Sequence, residues 1–290
     1  MPMLLIEGAY RIVGAAPDGD SIRFYPRNPA QWGLVPGQNK VRSNKSGGAQ
    51  LRLDGVDALE THYTPQGGHL GTVRQPRDFG DAAAGGLLDF LGFSHVKRNP
   101  DESVTSAQPA ETKGYILTKF ADVYGRPVAF AFKGDHPAHS GSMVRLEVSD
   151  LKKSANYHAL SKGLAYPTYY SQLFPDLRRE MTAAVKAARE SHHGLWAKDV
   201  SETGLTVNAL ADVAARGYIM PKLYRRLMDY YALGDGDPAL DGFSDYLAQR
   251  DDRLYIISDA HKTGFDFVVH VKGQTLKLNH QPEDLIFDEK

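Results

Sequence analysis

The sequence predicts an α+β protein: a five-stranded Greek-key β-barrel with helices over residues 1–200, then a C-terminal α+β extension over 201–290. Three observations predict it. Short alternating segments rich in β-branched and aromatic residues, separated by Gly/Pro turns, recur through the first half of the chain. A helical pattern enters after the third of them. From about residue 201 the pattern changes to amphipathic helical segments followed by short strands.

Residues 3–13 and 21–26 alternate and read as strands joined through the turn at 14–19. Residues 27–50 read as a loop, with Pro29, Gly33, Pro36 and Gly37, and carry Arg27, Lys40, Arg42 and Lys45 without an acid. A third strand is expected over 49–57, a Gly/Pro-rich loop over 61–77 and a helix over 79–92 despite Gly85 and Gly86. Residues 93–112 read as a long surface insertion. Segments 113–121 and 127–132 form a hairpin around Tyr124-Gly125, 143–148 a further strand, and 149–161 and 175–193 amphipathic helices. Five strongly turned strands with a helix after the third match the oligonucleotide/oligosaccharide-binding (OB) barrel. Beyond residue 200, helices are expected over 206–216, 221–233 and 239–250. Strands are expected over 253–258, 266–272 and 275–279, the last two joined at Lys272-Gly273; no repeat is visible.

With 290 residues the chain has ample size for a buried core. Its net charge of −1 excludes a uniformly basic nucleic-acid binder. The charge is unevenly spread: about 24 Lys/Arg against 20 Asp/Glu over 1–200, and about 10 against 15 over 201–290. There is no cysteine, hence no disulfide. The N-terminal residues lack a basic region followed by a long apolar one, and no apolar run approaches a membrane span. A cytoplasmic protein without a membrane partner is the expectation.

Three runs carry chemistry: Asp18-Gly19-Asp20-Ser21, the stretch from Leu51 to Thr61, and Asp122-Val123-Tyr124-Gly125-Arg126. Asp20, Asp57 and Glu60 are hard oxygen ligands or bases suited to Ca²⁺ or Mg²⁺ and an activated water. Arg52 and Arg126 are planar forks that match phosphate oxygens. A hard metal, a phosphate clamp and a carboxylate base together suit phosphodiester hydrolysis.

These runs, in this order, resemble the staphylococcal nuclease-like (thermonuclease) family from about residue 8 to about residue 198. The family's D-G-D-[ST] turn falls on Asp20, its R-L-x-x-[IV]-D-x-x-E run on Arg52, Leu53, Val56, Asp57 and Glu60, and its D-x-Y-G-R turn on Arg126. The resemblance implies a low-specificity endonuclease on an OB barrel, acting on single-stranded or frayed DNA and RNA and leaving 3′-phosphates. It implies metal ligation, by Ca²⁺ foremost, through Asp20, Asp57 and the Ala58 carbonyl. It makes Glu60 the general base, Arg52 and Arg126 the phosphate clamp, and Tyr124, Tyr166 and Tyr169 the nucleotide contacts. Lysine is common in the family where this chain has Val123, which puts the terminal-phosphate contact in doubt.

Some motifs read more plainly. Asp18 is a turn residue and Asp54 a solvated strand position. Asp135-His136-Pro137-Ala138-His139 reads as a loop rather than a metal site, and His192-His193 as the end of a basic helix. The competing functions are a catalytically inactive barrel that binds nucleic acid or protein, and the nuclease effector subunit of a cytoplasmic, defence-type complex. The extension is expected to restrain the site, by self-contact or through a protein partner.

Overall fold

A computed structural model of the chain describes residues 2–289. In chain order the first half contains β1 (Met3–Tyr10), β2 (Ser21–Pro26), β3 (Ala49–Leu53), β4 (Val56–Asp57), α1 (Arg77–Leu91), β5 (Ser94–Arg98), β6 (Val104–Gln108), β7 (Thr112–Ala121) and β8 (Pro127–Lys133). Then come β9 (Met143–Val144), α2 (Val148–Leu151), α3 (Ala155–Ser161), β10 (Tyr166–Pro167), β11 (Tyr169–Tyr170) and α4 (Pro175–Glu190). The remainder is β12 (Leu205–Thr206), α5 (Leu210–Arg216), α6 (Pro221–Leu233), α7 (Phe243–Arg250), β13 (Arg253–Ile256), β14 (His261–Gly264), α8 (Phe265–Val268), β15 (Val269–Lys272), β16 (Thr275–Leu278) and β17 (Leu285–Phe287).

Five strands close a barrel in the order β1-β2-β3-β8-β7 and back to β1. All its pairings are antiparallel except β3–β8, which is parallel, with Arg52 opposite Val128. Closure demands that β1 serve two neighbours, and glycine makes this possible. Gly8 faces Gly114 across the β1–β7 ladder. A Cβ on Gly8 would lie 2.0 Å from the Tyr25 carbonyl oxygen, and one on Gly114 2.4 Å from the Tyr10 ring. That ring fills the space instead, and the Tyr10 hydroxyl donates to the Phe132 carbonyl and accepts from the Phe132 N–H. Ile22, Phe24, Leu51, Ile116 and Phe130 fill the barrel around it, all buried.

Helix α1 covers one end through Ala83, Leu87, Leu88 and Leu91. It stops at Gly92, whose φ of +94° is the left-handed cap a helix end favours. Helix α3 is pinned to the barrel by Asn156, which is fully buried. Its side-chain oxygen accepts from Ala131 N–H, and its amide donates to the carbonyls of Asp54 and Ala129. Every polar atom of that side chain is thereby satisfied, and the turn after β3 is held in place.

The elements depart from the sequence pattern at several points. Residues 93–112 form the β5–β6 ribbon rather than a structureless insertion; its mostly exposed polar residues hide the strand period. The helix expected over 149–161 is split, because Ser154 starts α3 as an N-cap, accepting from Tyr157 N–H. The strand expected over 266–272 begins with the one-turn helix α8. The helix expected over 206–216 is shortened to α5, its first turn capped by the Asp212 carboxylate accepting from Asn208 and Ala209 N–H.

Residues 201–289 share a sheet and a core with the rest. Strand β17 pairs in parallel with β11 and antiparallel with β13. Leu223, Tyr224, Leu227 and Phe287 belong to the same apolar cluster as the barrel residues. Among the described residues no helix is long and apolar enough to cross a membrane.

Replacing Asn156 by Ala leaves buried partners in the Asp54 turn and β8 unpaired. We expect a loss of about 1–3 kcal/mol for each buried group left without a partner. The measurement is urea unfolding with an unchanged m-value.

Candidate functional site

The site is assembled by two tight turns. In the first, the Asp18 carboxylate accepts from the N–H groups of Asp20 and Ser21 and launches β2. Gly19 is required there, since a Cβ would stand 2.5 Å from the Ala83 side chain and 2.6 Å from that of Ala58. In the second turn Gly55, at φ +76°, redirects the chain from β3 into β4. β4 leaves the barrel sheet and pairs with β10, setting Asp57 opposite Tyr166. The two turns meet where Asp20 Oδ2 accepts from Ala58 N–H at 3.0 Å.

Burial, reinforced by the charges of Asp18, Asp57 and Glu60, pushes Asp20 well above the usual carboxylate range. Burial also acts on Asp57, but the charge and hydrogen bonds of Arg225, with the charge of Arg52, outweigh it and hold Asp57 low. The two carboxyls are thus pushed in opposite directions, Asp20 toward its neutral form and Asp57 toward its charged one.

Arg225 comes from α6, in the segment whose role sequence reading left open. Its guanidinium reaches Asp57 Oδ1 at 3.0 Å and Oδ2 at 2.7 Å, a bidentate fork, and Glu60 Oε1 at 2.5 Å. Thr168 adds a hydroxyl to Asp57 Oδ2 at 3.3 Å. Asp57 is only 3 % exposed, so a charge-matched partner is obligatory there. Burial raises the Glu60 carboxyl, against the opposing pull of Arg225. The approach of α6 is aligned by Gln75, fully buried, which accepts from Glu60 N–H and donates to the carbonyls of Gly217 and Ile219 just before the helix.

Arg52 borders this cluster on the other side. Its guanidinium donates to the Tyr170 hydroxyl at 3.4 Å and lies 5.0 Å from the centre of that ring. Burial disfavours its charge, but Tyr170 and Asp57 more than restore it. Both residues open onto a cavity of about 650 Å³ between the barrel and the C-terminal segment, also lined by Lys119, Tyr124, Lys222 and Arg226. Burial raises the Tyr170 phenol, but Lys222 and Arg52 outweigh it and bring it down to about 8. Burial lowers Lys222, whose amine sits 3.5 Å from Asp252 and 4.5 Å from the centre of the Phe287 ring.

Asp20, Arg52, Asp57, Ala58 and Glu60 are thus brought together. Arg126 is held locally in its own turn: its Nε donates to Asp122 at 2.7 Å, and its guanidinium lies 5.5 Å from the centre of the Tyr124 ring. Tyr124 is 61 % exposed at the cavity and can stack on a ligand. Tyr166 and Tyr169 are core side chains. The Tyr166 hydroxyl donates to Asp199, and that of Tyr169 accepts from Thr182. The tyrosine at the cavity beside them is Tyr170, its neighbour on the opposite face of β11. Asp54, expected to be solvated, is buried against the cavity floor because the turn at Gly55 folds it inward.

The donor set does not fit a divalent ion in this arrangement. Of the expected carboxylate ligands, Asp57 has both oxygens engaged by Arg225 and Asp20 Oδ2 accepts from Ala58 N–H, while Arg225 also holds Oε1 of Glu60. Among the described residues no group of three or more His, Cys, Asp or Glu is disposed to hold a metal.

Compared with protein-family models the chain finds no match, and no curated protein matches it.

Asp54 supplies a pH prediction. Burial, opposed by Lys119 and Arg52, raises its carboxyl to about 6. A carboxyl raised on folding stabilises the fold fully below its unfolded value, near 4, and loses that contribution as pH rises through 6. Asp54→Asn should therefore raise Tm at pH 7.5 and match the parent protein near pH 4. A gain confined to acidic pH would contradict the assignment; thermal unfolding across pH 4–8 reads it.

Proposed function

We propose that the chain is a phosphodiester hydrolase acting on single-stranded DNA or RNA, on a barrel of the OB type. One observation carries the reading: two distant turns converge to set Asp20, Asp57 and Glu60 together next to Arg52, which opens onto a cavity of mixed charge that also holds Lys119, Lys222, Arg226 and the rings of Tyr124 and Tyr170. A phosphate entering the cavity meets the Arg52 guanidinium, which neutralises charge growing on the non-bridging oxygens. The faces of Tyr124 and Tyr170 offer sequence-tolerant stacking to bases.

Glu60 is the proton acceptor. Arg225 engages its Oε1, orienting the carboxylate so that Oε2 takes the proton as a water oxygen bonds to phosphorus. The raised affinity of Glu60 for a proton suits this role. The phosphorus–oxygen ester bond breaks as the new bond forms, and the leaving oxygen takes a proton from solvent. Asp57 acts by holding Arg225 in register.

A second reading has its own support. Arg225 pairs with both Asp57 and Glu60, and a barrel whose acids are so neutralised suits a module that binds nucleic acid without cutting it.

The test is incubation with single-stranded DNA and RNA, in Ca²⁺, Mg²⁺ or chelator. Cleavage is expected, with Glu60→Gln and Arg52→Ala each losing at least about 100-fold, the scale of one acid–base or electrostatic group. Full activity in Glu60→Gln would remove the assigned base. Salt-dependent binding with no cleavage under any condition would favour the binding module.

A further inference from the structure

Helix α6 turns a charged stripe inward. Lys222, Arg225, Arg226 and Asp229 follow helical spacing along one side, yet none faces open solvent. Arg226 forks onto Asp252 at 2.5 and 3.0 Å, and Asp229 accepts from the Tyr63 hydroxyl and from Gln66 N–H in the loop before α1. Arg225, between these anchors, is delivered to Asp57 and Glu60 by a helix fixed on both flanks. Gln75 ties the Glu60 backbone to the approach to that helix, so the arginine and its carboxylates are held in one register.

A hard divalent ion at this cluster would need Asp57, the carboxylate between Asp20 and Glu60. Both Asp57 oxygens and Oε1 of Glu60 are already taken by one planar guanidinium, three contacts from two nitrogens, and Asp20 Oδ2 accepts from Ala58 N–H. The Arg225 guanidinium thus faces two carboxylates, and a dication beside it would meet repulsion at short range in a poorly solvated site. Arginine and ion are mutually exclusive occupants of the same oxygens.

We propose that Arg225 is the resident cation of this cluster, standing in for a divalent ion, so that the protein takes no such ion at Asp57 and Glu60 and its site chemistry is independent of one. The proposal concerns occupancy and is read by cation binding, so it stands or falls separately from hydrolysis.

The experiment titrates the full chain with Ca²⁺ by calorimetry and with Mn²⁺ by paramagnetic relaxation, beside Arg225→Gln and Arg225→Gln combined with Asp57→Asn. The parent protein is expected to show no Asp57-dependent binding up to millimolar ion. Arg225→Gln should gain affinity at least tenfold, and the added Asp57→Asn should abolish the gain. Ion binding by the parent protein that is lost in Asp57→Asn alone overturns the proposal. So does a folded Arg225→Gln that gains nothing. If Arg225→Gln folds only when Ca²⁺ is added, that rescue supports it. If that variant does not fold at all, the parent protein decides, together with Arg225→Lys, which keeps the charge without the fork. Asp57-dependent ion binding in either overturns the proposal, and its absence in both upholds it.

Discussion

The fork of Arg225 onto Asp57 and Glu60 is the interaction on which the arrangement of this protein depends. Two turns of the barrel force three carboxyl groups together in a region with little access to water, and like charges so placed cannot all remain ionised and unpaired. The structure relieves this in two ways. Burial and neighbouring like charges push the Asp20 carboxyl up toward its neutral form, while Asp57 and Glu60 share one guanidinium. Removing one member of a buried charge pair commonly costs about 3–5 kcal/mol, because the other is left stranded. The barrel and the C-terminal segment are thereby bound by an electrostatic need as well as by apolar contact.

The rest of the C-terminal segment is organised around that delivery. β17 pairs in parallel with β11, which begins two residues beyond β10, the strand that faces Asp57, so one short stretch of chain serves both sheets. Arg189 and Glu283 add a second bidentate pair across the same junction at 2.6 Å. Lys222 and Arg226 come with Arg225 on α6 and form one wall of the cavity opposite Arg52. The segment that carries the excess of acid in the chain thus presents Lys222 and Arg226 to the cavity beside Asp252, Asp288 and Glu289. A net-charge comparison of the two halves does not reveal this, since steric placement decides which charges face each other.

Much of the barrel was legible because its signals are local. The alternation of β1, β2 and β3, the Tyr124-Gly125 hairpin and the Asp-Gly turns each depend on residues close in sequence. The same holds for Asp20, Asp57 and Glu60, which short motifs single out and which the two turns unite. The tyrosines were less legible. Tyr169 and Tyr170 are adjacent and chemically identical, and only the docking of β17 on β11 decides which ring is buried and which meets the cavity. Arg225 was illegible for a different reason. A Lys-Arg-Arg-Asp stripe at helical spacing is the pattern of a solvated helix face, and inspection of α6 alone finds nothing unusual.

Local chain chemistry thus dictated the strands, the glycine turns and the carboxylate set, because backbone sterics and alternation act within a few residues. The partner of those carboxylates and the buried state of Asp54 were decided by tertiary structure. Each depends on groups from distant segments being pressed into one poorly hydrated space. There the need to match charge for charge selects a neighbour roughly 165 positions along the chain that no local pattern encodes.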